Sequence, residues 1–498
     1  MHGEPFDPME ATISDVHAAF EAGRLTAVDL VEWYLKRIDA YDDDLRAILT
    51  VNPAASERAA ELDGILDRGG LSGHLHGIPI VLKDNHDTHD LPTTAGSKAL
   101  AGSVPDRDAA VVSRLREAGG IVLAKANLQE FSFGVDTISS LGGETRNAYS
   151  LSHRPSGSSG GTAAAVAANF GTVGTGSDTC SSVRSPPAFN GLVGVRPTMG
   201  LVSRTGIVPL SATQDTPGPI ARTVEDAARM LDVMVGYDPA DPLTATGADA
   251  PPADGYVSHL DERGLEGARI GVVRSLFGLT DESLGLAEEA EEVTALTDAA
   301  IDEMGEAGAT VVDPVSVADP DRLDDARLVG LEFKRDLNRY LGARDDVPDT
   351  LEEIVEAGLV HPWIRERIED ADILAVDTET VSESREYLRR LSLRDVLRAD
   401  TLSRMIEAEV DALLYPPSTV PPVSLPGRQP FGEMRCELAA HTGLPAIVVP
   451  AGYTEEGLPI GVELLGRAFG EPRLFELAYA YERATTHRET PEAFGPIG

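Results

Sequence analysis

The sequence predicts an α/β protein. Three observations carry that reading. Short apolar runs of strand length alternate with segments of helical period. The C-terminal part holds two more apolar runs close enough to pair. Gly and Ala are plentiful while aromatics are only 5% of residues, which suits tightly packed strands and helices better than a β-sandwich. Of the 498 residues 42% are hydrophobic, enough to bury a sizeable interior.

From Thr12 to Tyr41 the positions Ile13, Val16, Ala19 and Phe20, then Val28, Val31, Leu35 and Ile38, recur with a helical period. Two helices are expected there, the second capped by Thr26. The run Ile78-Pro79-Ile80-Val81-Leu82-Lys83-Asp84 reads as a buried strand ending in polar residues. A helix over about Ala109–Ala118 leads through Gly119-Gly120 to a second buried strand, Ile121–Lys125. Between Ser156 and Thr216 the chain is rich in Gly, Ser and Pro and poor in charge. A flexible linker shares that composition but lacks residues such as Val166, Val173, Leu192, Val193 and Val195, so this stretch reads as a buried core of loops and short elements. A strand at Ile270–Val273 opens a more variable region. Residues from about Asp319 to Glu407 are charged and helical in pattern, an exposed cover over the core. Leu444–Gly452 and Pro459–Gly466 read as paired strands, and a last helix spans about Glu471–Arg483. There is no evident internal repeat.

Lys and Arg number 42 against 82 Asp and Glu, a net charge of −40. Such a surface repels nucleic acid and anionic membranes, so neither is expected as a partner. The acidic excess is spread along the chain, and the lysines are few: Lys36, Lys83, Lys98, Lys125 and Lys334. This pattern points to a halophilic, cytoplasmic protein whose self-repulsion is screened by salt. No apolar run reaches the roughly 20 residues that a membrane-spanning helix needs. Met1–Phe6 has neither the basic nor the apolar region of a secretion signal. Two cysteines, Cys180 and Cys436, give no disulfide framework and fit a reducing cytoplasm.

Three places carry chemistry. Ser156-Gly157-Ser158-Ser159-Gly160-Gly161-Thr162 precedes the small-residue run Ala163–Ala168, so a helix starting there would aim free N–H groups at the loop. A phosphate-binding loop would need Lys after its second Gly, and Thr162 stands there instead. Gly174–Arg184 offers adjacent hydroxyls, a thiol and a run of backbone N–H groups, the donors that a developing oxyanion needs. Lys83 ends an apolar strand, where loss of hydration lowers the pKa of an amine and lets it accept a proton. His74, His76, His86 and His89 with Asp84, Asp87 and Asp90 lack a regular ligand pattern; a solvated loop is expected there.

Taken in order, Lys83, Gly157–Gly161 and Asp178-Thr179-Cys180-Ser181-Ser182-Val183-Arg184 resemble the amidase signature family. Lys125–Phe131, Gly191–Thr198, Thr216–Thr223 and the strands around Pro445 and Pro459 resemble it too. The resemblance covers Thr12 to about Thr485. It implies a single α/β/α domain over residues 1–498 with a large mixed central sheet, and hydrolysis of a carboxamide through an acyl-enzyme. It further implies that Ser182 is the nucleophile, with Ser158, held by a cis peptide bond, relaying protons between Ser182 and Lys83. The N–H groups of Thr179, Cys180, Ser181 and Ser182 would hold the oxyanion, with Asp178 and Arg184 as structural supports. No cofactor and no metal are implied. The family often forms homodimers, acts on small amides and includes the glutaminase component of tRNA-dependent amidotransferases. The family's acyl pocket draws on variable segments, here expected near Phe131–Ser140, Gln214 and the helical stretch before Glu407. One departure stands out: Cys180-Ser181 replaces the family's usual Gly-Gly. Positive φ at these positions would strain a side chain there by about 1–2 kcal/mol, Ser181 would be a rival nucleophile, and an inactive binding protein would become an alternative.

Overall fold

A computed structural model describes residues 6–318 and 320–497; Met1–Pro5 and Asp319, on which parts of the sequence reading fall, lie outside the described residues. The strands are β1 (Ile48–Val51), β2 (Pro79–Lys83), β3 (Ile121–Ala126), β4 (Ile138–Ser139), β5 (Gly143–Glu144), β6 (Val173–Asp178) and β7 (Val193–Arg196). They continue with β8 (Thr216–Ala221), β9 (Arg269–Val272), β10 (Thr310–Val312), β11 (Ala412–Tyr415), β12 (Ala446–Tyr453) and β13 (Pro459–Leu465). Eleven of them form one sheet in the order β1-β3-β2-β6-β8-β7-β12-β13-β11-β9-β10, and β4-β5 is a separate small hairpin. The sheet is mixed: β2 runs parallel to β3 and β6, while β6, β8, β7, β12 and β13 pair antiparallel in succession.

Most elements sit where periodicity put them. The helix Ala27–Leu45 is capped by Thr26, whose side chain accepts from the Asp29 N–H. Every residue of β2 and β3 is buried. The C-terminal strands pair antiparallel, and the last helix runs Glu471–Thr485. The Gly/Ser-rich middle is a packed interior. Its helix Gly160–Ala167 is buried on all sides, and small residues let it lie close to the strands. At Gly161 an added Cβ would stand 2.1 Å from the Asn127 carbonyl oxygen.

The charged stretch before Glu407 does more than cover the core. Its helices bury Phe333, Leu337, Leu341, Ile354, Ile364 and Ile368 in a second apolar cluster against Phe131, Phe133 and Leu210. That packing fixes the loop following β3 beside the C-terminal end of β6, where the chemistry-bearing residues meet.

Candidate active site

Lys83 is the last residue of β2 and is fully buried. Its Nζ donates to Ser158 Oγ at 2.7 Å, Ser177 Oγ at 2.9 Å and the Ser177 carbonyl at 3.2 Å. Burial pushes the amine down to about 7, against the opposing pull of Asp215 and Asp178. Ser158 follows a cis peptide bond from Gly157 and lies just before the buried helix Gly160–Ala167. Its backbone N–H donates to Ser182 Oγ at 2.9 Å. Lys83, Ser158 and Ser182 thus form one contiguous buried array.

The loop Asp178–Ser182 leaves the end of β6, and three successive residues tie it to different parts of the chain. Asp178 pairs with Arg184 at 3.2 Å and Arg196 at 2.5 Å and accepts from the Val183 N–H. Burial alone would raise this carboxyl, but the two guanidinium groups hold it below its usual range. Arg184 also reaches Glu463 on β13 at 2.6 Å. The Thr179 hydroxyl donates to Asp215 at 2.5 Å, and its carbonyl accepts from the Gln214 side chain at 2.9 Å. Cys180 is bonded through a disulfide to Cys436, 256 residues later in the sequence. The N–H groups of Thr179, Cys180, Ser181 and Ser182 donate to no acceptor among the described residues.

Several expectations change here. The reading of two reduced cysteines is overturned: Cys180 and Cys436 approach to 4.9 Å between Cα atoms because the fold brings the start of the helix Glu437–Thr442 against the nucleophile loop, which no sequence spacing reveals. Neither Cys180 nor Ser181 has positive φ, so side chains in place of Gly-Gly add no such strain. The His/Asp segment is not a solvated loop. His76, Asp84, His86 and Asp87 are buried, and only His74, His89 and Asp90 are exposed. Asp84 pairs with buried Lys125 at 3.0 Å, and the His86 ring is pressed against Asn85, so these groups act as internal struts. His89, Asp90 and Asp108 lie close enough to share a cation, but Arg116 already pairs with both carboxylates. Ser177, Asn85 and Asp215 were not singled out from the sequence. Asn85 donates to the same Ser177 hydroxyl that accepts from Lys83.

A cavity of about 190 Å³ opens on this array. Ser182, Thr179 and Cys180 form one wall, Ser132–Val135 and Gln214 another, and Arg327, Arg367 and Ile373 of the cover close it. All three expected pocket segments meet there. Ser182 lines the cavity; Ser181 is buried outside its lining, which separates the two candidate nucleophiles.

The sequence pattern of the Amidase family matches residues 29–475. This chain belongs to the amidase signature family. As an amidase it hydrolyses carboxamide C–N bonds. A protein of Arabidopsis thaliana named as a probable amidase is 37% identical over 98% of this chain and 92% of its own length. The native peptide amidase of Stenotrophomonas maltophilia superposes with a TM-score of 0.82 at 36% identity, covering 98% of this amidase and 99% of that chain. One component of the glutamyl-tRNA(Gln) amidotransferase of a Roseiflexus species is 35% identical over 97% of this chain and 98% of its own.

Proposed function

We propose that this chain is a stand-alone amidase of one domain that acts on a small-molecule amide through an acyl-enzyme on Ser182. The observation that carries the reading is the buried cluster in which Lys83 Nζ donates to Ser158 Oγ and the Ser158 backbone N–H donates to Ser182 Oγ, beside a row of unengaged backbone N–H groups. With its amine at about 7, Lys83 is substantially neutral near neutral pH and can take a proton. Ser182 Oγ attacks the amide carbon while its proton passes by way of Ser158 to Lys83. The N–H groups of Thr179, Cys180, Ser181 and Ser182 stabilise the oxyanion. Lys83 and Ser158 return the proton to the leaving nitrogen. Water, deprotonated by the same relay, then releases the carboxylate and regenerates Ser182. Asp178, Arg184, Gln214 and Asp215 position the loop.

The test is release of ammonia or amine from a panel of aliphatic, aryl and peptide amides. Ser182→Ala should abolish it, and Ser158→Ala and Lys83→Ala should each cost on the order of 10²-fold or more. Fluorophosphonate labelling of wild type but not of Ser182→Ala would support the nucleophile; labelling that persists in Ser182→Ala would sink it. The likeness to the amidotransferase component supports a second reading, a glutaminase working in a complex, and copurification of a partner protein would favour it.

The setting is also part of the proposal. The acidic surface supports a salt-rich cytoplasm, while the Cys180–Cys436 disulfide weighs against a strongly reducing one. Among the described residues no helix is long and apolar enough to cross a membrane. A homodimer is the assembly expected.

A further inference from the structure

The Gln214 side chain stands between two groups that together allow it one orientation. On one side is Arg394 of the helix Arg385–Glu407, which can only donate; its Nη2 donates to Gln214 Oε1. On the other is the Thr179 carbonyl, which can only accept and takes the Gln214 Nε2–H at 2.9 Å. Gln214 is fully buried and Arg394 nearly so. The guanidinium is itself fixed by its other two nitrogens: Nε donates to the Ala326 carbonyl at 3.0 Å and Nη1 to the Thr213 hydroxyl at 2.6 Å. Thr213 in turn donates to Glu332 of the helix Val329–Leu341 at 2.9 Å, and Glu332 also accepts from Ser211 and, at 2.7 Å, from Tyr387. Two helices of the cover thus grip residues 211–214, and neither Arg394 nor Glu332 lines the cavity.

The Thr179 carbonyl and the Cys180 N–H belong to one planar trans peptide, so they point in opposite directions. Holding the carbonyl on Gln214 therefore aims the Cys180 N–H away from Gln214. Were that peptide to turn over, a developing oxyanion would meet a carbonyl oxygen where it needs a donor. We propose that Arg394 is a positioning residue for the hydrolysis: by fixing which end of the Gln214 amide meets Thr179, it keeps the Cys180 N–H in the oxyanion row. This rests on the reading of Ser182 as nucleophile and of that row as the oxyanion site. Arg394 touches no reacting atom. Burial lowers its guanidinium only to about 10, so it stays charged, and a donor, throughout the neutral range. The helical cover thereby supports turnover from a place the substrate does not reach.

The experiment measures kcat and KM on an amide that wild type hydrolyses, the rate of fluorophosphonate labelling, and the melting temperature. Arg394→Met should lower kcat and the labelling rate in parallel by at least about tenfold, a part of the roughly 10²–10³-fold that a lost oxyanion donor costs, and leave KM within about twofold. Arg394→Lys, which keeps a donor for Gln214 Oε1, should keep most of the rate. Gln214→Glu has the same shape but sets an acceptor against the Thr179 carbonyl, and should lose at least as much as Arg394→Met. Because the two residues act through one contact, Arg394→Met added to Gln214→Met should lower kcat no further. A kcat unchanged in Arg394→Met or in Gln214→Glu, or losses that multiply in the double variant, overturns the proposal; a lower melting temperature with kcat unchanged would mark Arg394 as scaffold alone. Gln214→Glu leaves Arg394 itself in place, so it decides the matter where Arg394→Met does not fold. A wild type that neither turns over nor labels counts against the Ser182 reading, and the loop is then read by hydrogen exchange of the Val183, Arg184 and Ser185 N–H groups, which Asp178 and Ser181 protect. Faster exchange there in both Arg394→Met and Gln214→Glu sustains the positioning role, and unchanged exchange overturns it.

Discussion

The titration of Lys83 should set the acid limb of the rate profile. Burial moves its amine from an ordinary 10.5 to about 7. At roughly 1.4 kcal/mol per pKa unit, the folded interior disfavours the charged form by about 5 kcal/mol. If the neutral amine is the proton acceptor, kcat/KM should rise roughly tenfold per pH unit on the acid side and level off above a midpoint near pH 7. Stability should respond in a different window. The unfolded chain holds the Lys83 proton up to its ordinary pKa, while the folded chain releases it near 7. Between those values the unfolded state binds more protons, so this group makes the fold more stable as pH rises through the window; below it both states are charged and the full penalty is present. The assay is ammonia release from about pH 5 to about pH 9, with urea unfolding at the same points. Lys83→Met should lose both activity and the rise in stability. Lys83→Arg, charged throughout, should be inactive. A wild-type rate that stays flat to the acid end, or a rise in stability that persists in Lys83→Met, would refute the assignment.

Reduction of Cys180–Cys436 opens a loop closed over 256 residues. On the chain-entropy scale that should cost about 5 kcal/mol and lower kcat more than KM, because Cys180 lies in the N–H row; melting and kinetics with and without a phosphine reductant check it, and no change in either would count against it. Arg184→Leu strips its cation from Asp178 and Glu463, both buried, and should destabilise by about 3–5 kcal/mol in urea unfolding, a large part of a typical domain's stability. Gly161→Ala drives a methyl group against the Asn127 carbonyl and should cost at least about 1–3 kcal/mol, read as a lower denaturation midpoint.

The sequence made the scaffold legible where one physical rule dominated. Apolar runs such as Ile78–Leu82 and Ile121–Ala124 became strands because both faces of the central sheet are covered, which removes any need for alternation. Lys83 stood out as a lysine ending an apolar strand and Ser158 as a serine among glycines, whereas Ser182, between Ser181 and Val183, was set apart from its neighbour only by the resemblance to the family. What could not be read depends on contacts made through space. The disulfide joins residues 256 apart, and Asp178 is held by Arg184, six residues on, but also by Arg196 on β7. The His/Asp segment read as solvated because its composition is polar, yet Lys125 lies beside Asp84 on the neighbouring strand and lets it be buried.

The anchoring of the nucleophile loop has a consequence for the newly made chain. Lys83 lies near the N-terminus, Ser182 in the middle, and Cys436 and Glu463, which fasten the loop, close to the end. A ribosome-bound or truncated chain that stops before them therefore contains both serines and the lysine without the contacts that fasten the loop. On the proposed mechanism, hydrolytic competence would arrive only with the last strands, and an unfinished or clipped copy would be chemically silent toward the amides around it.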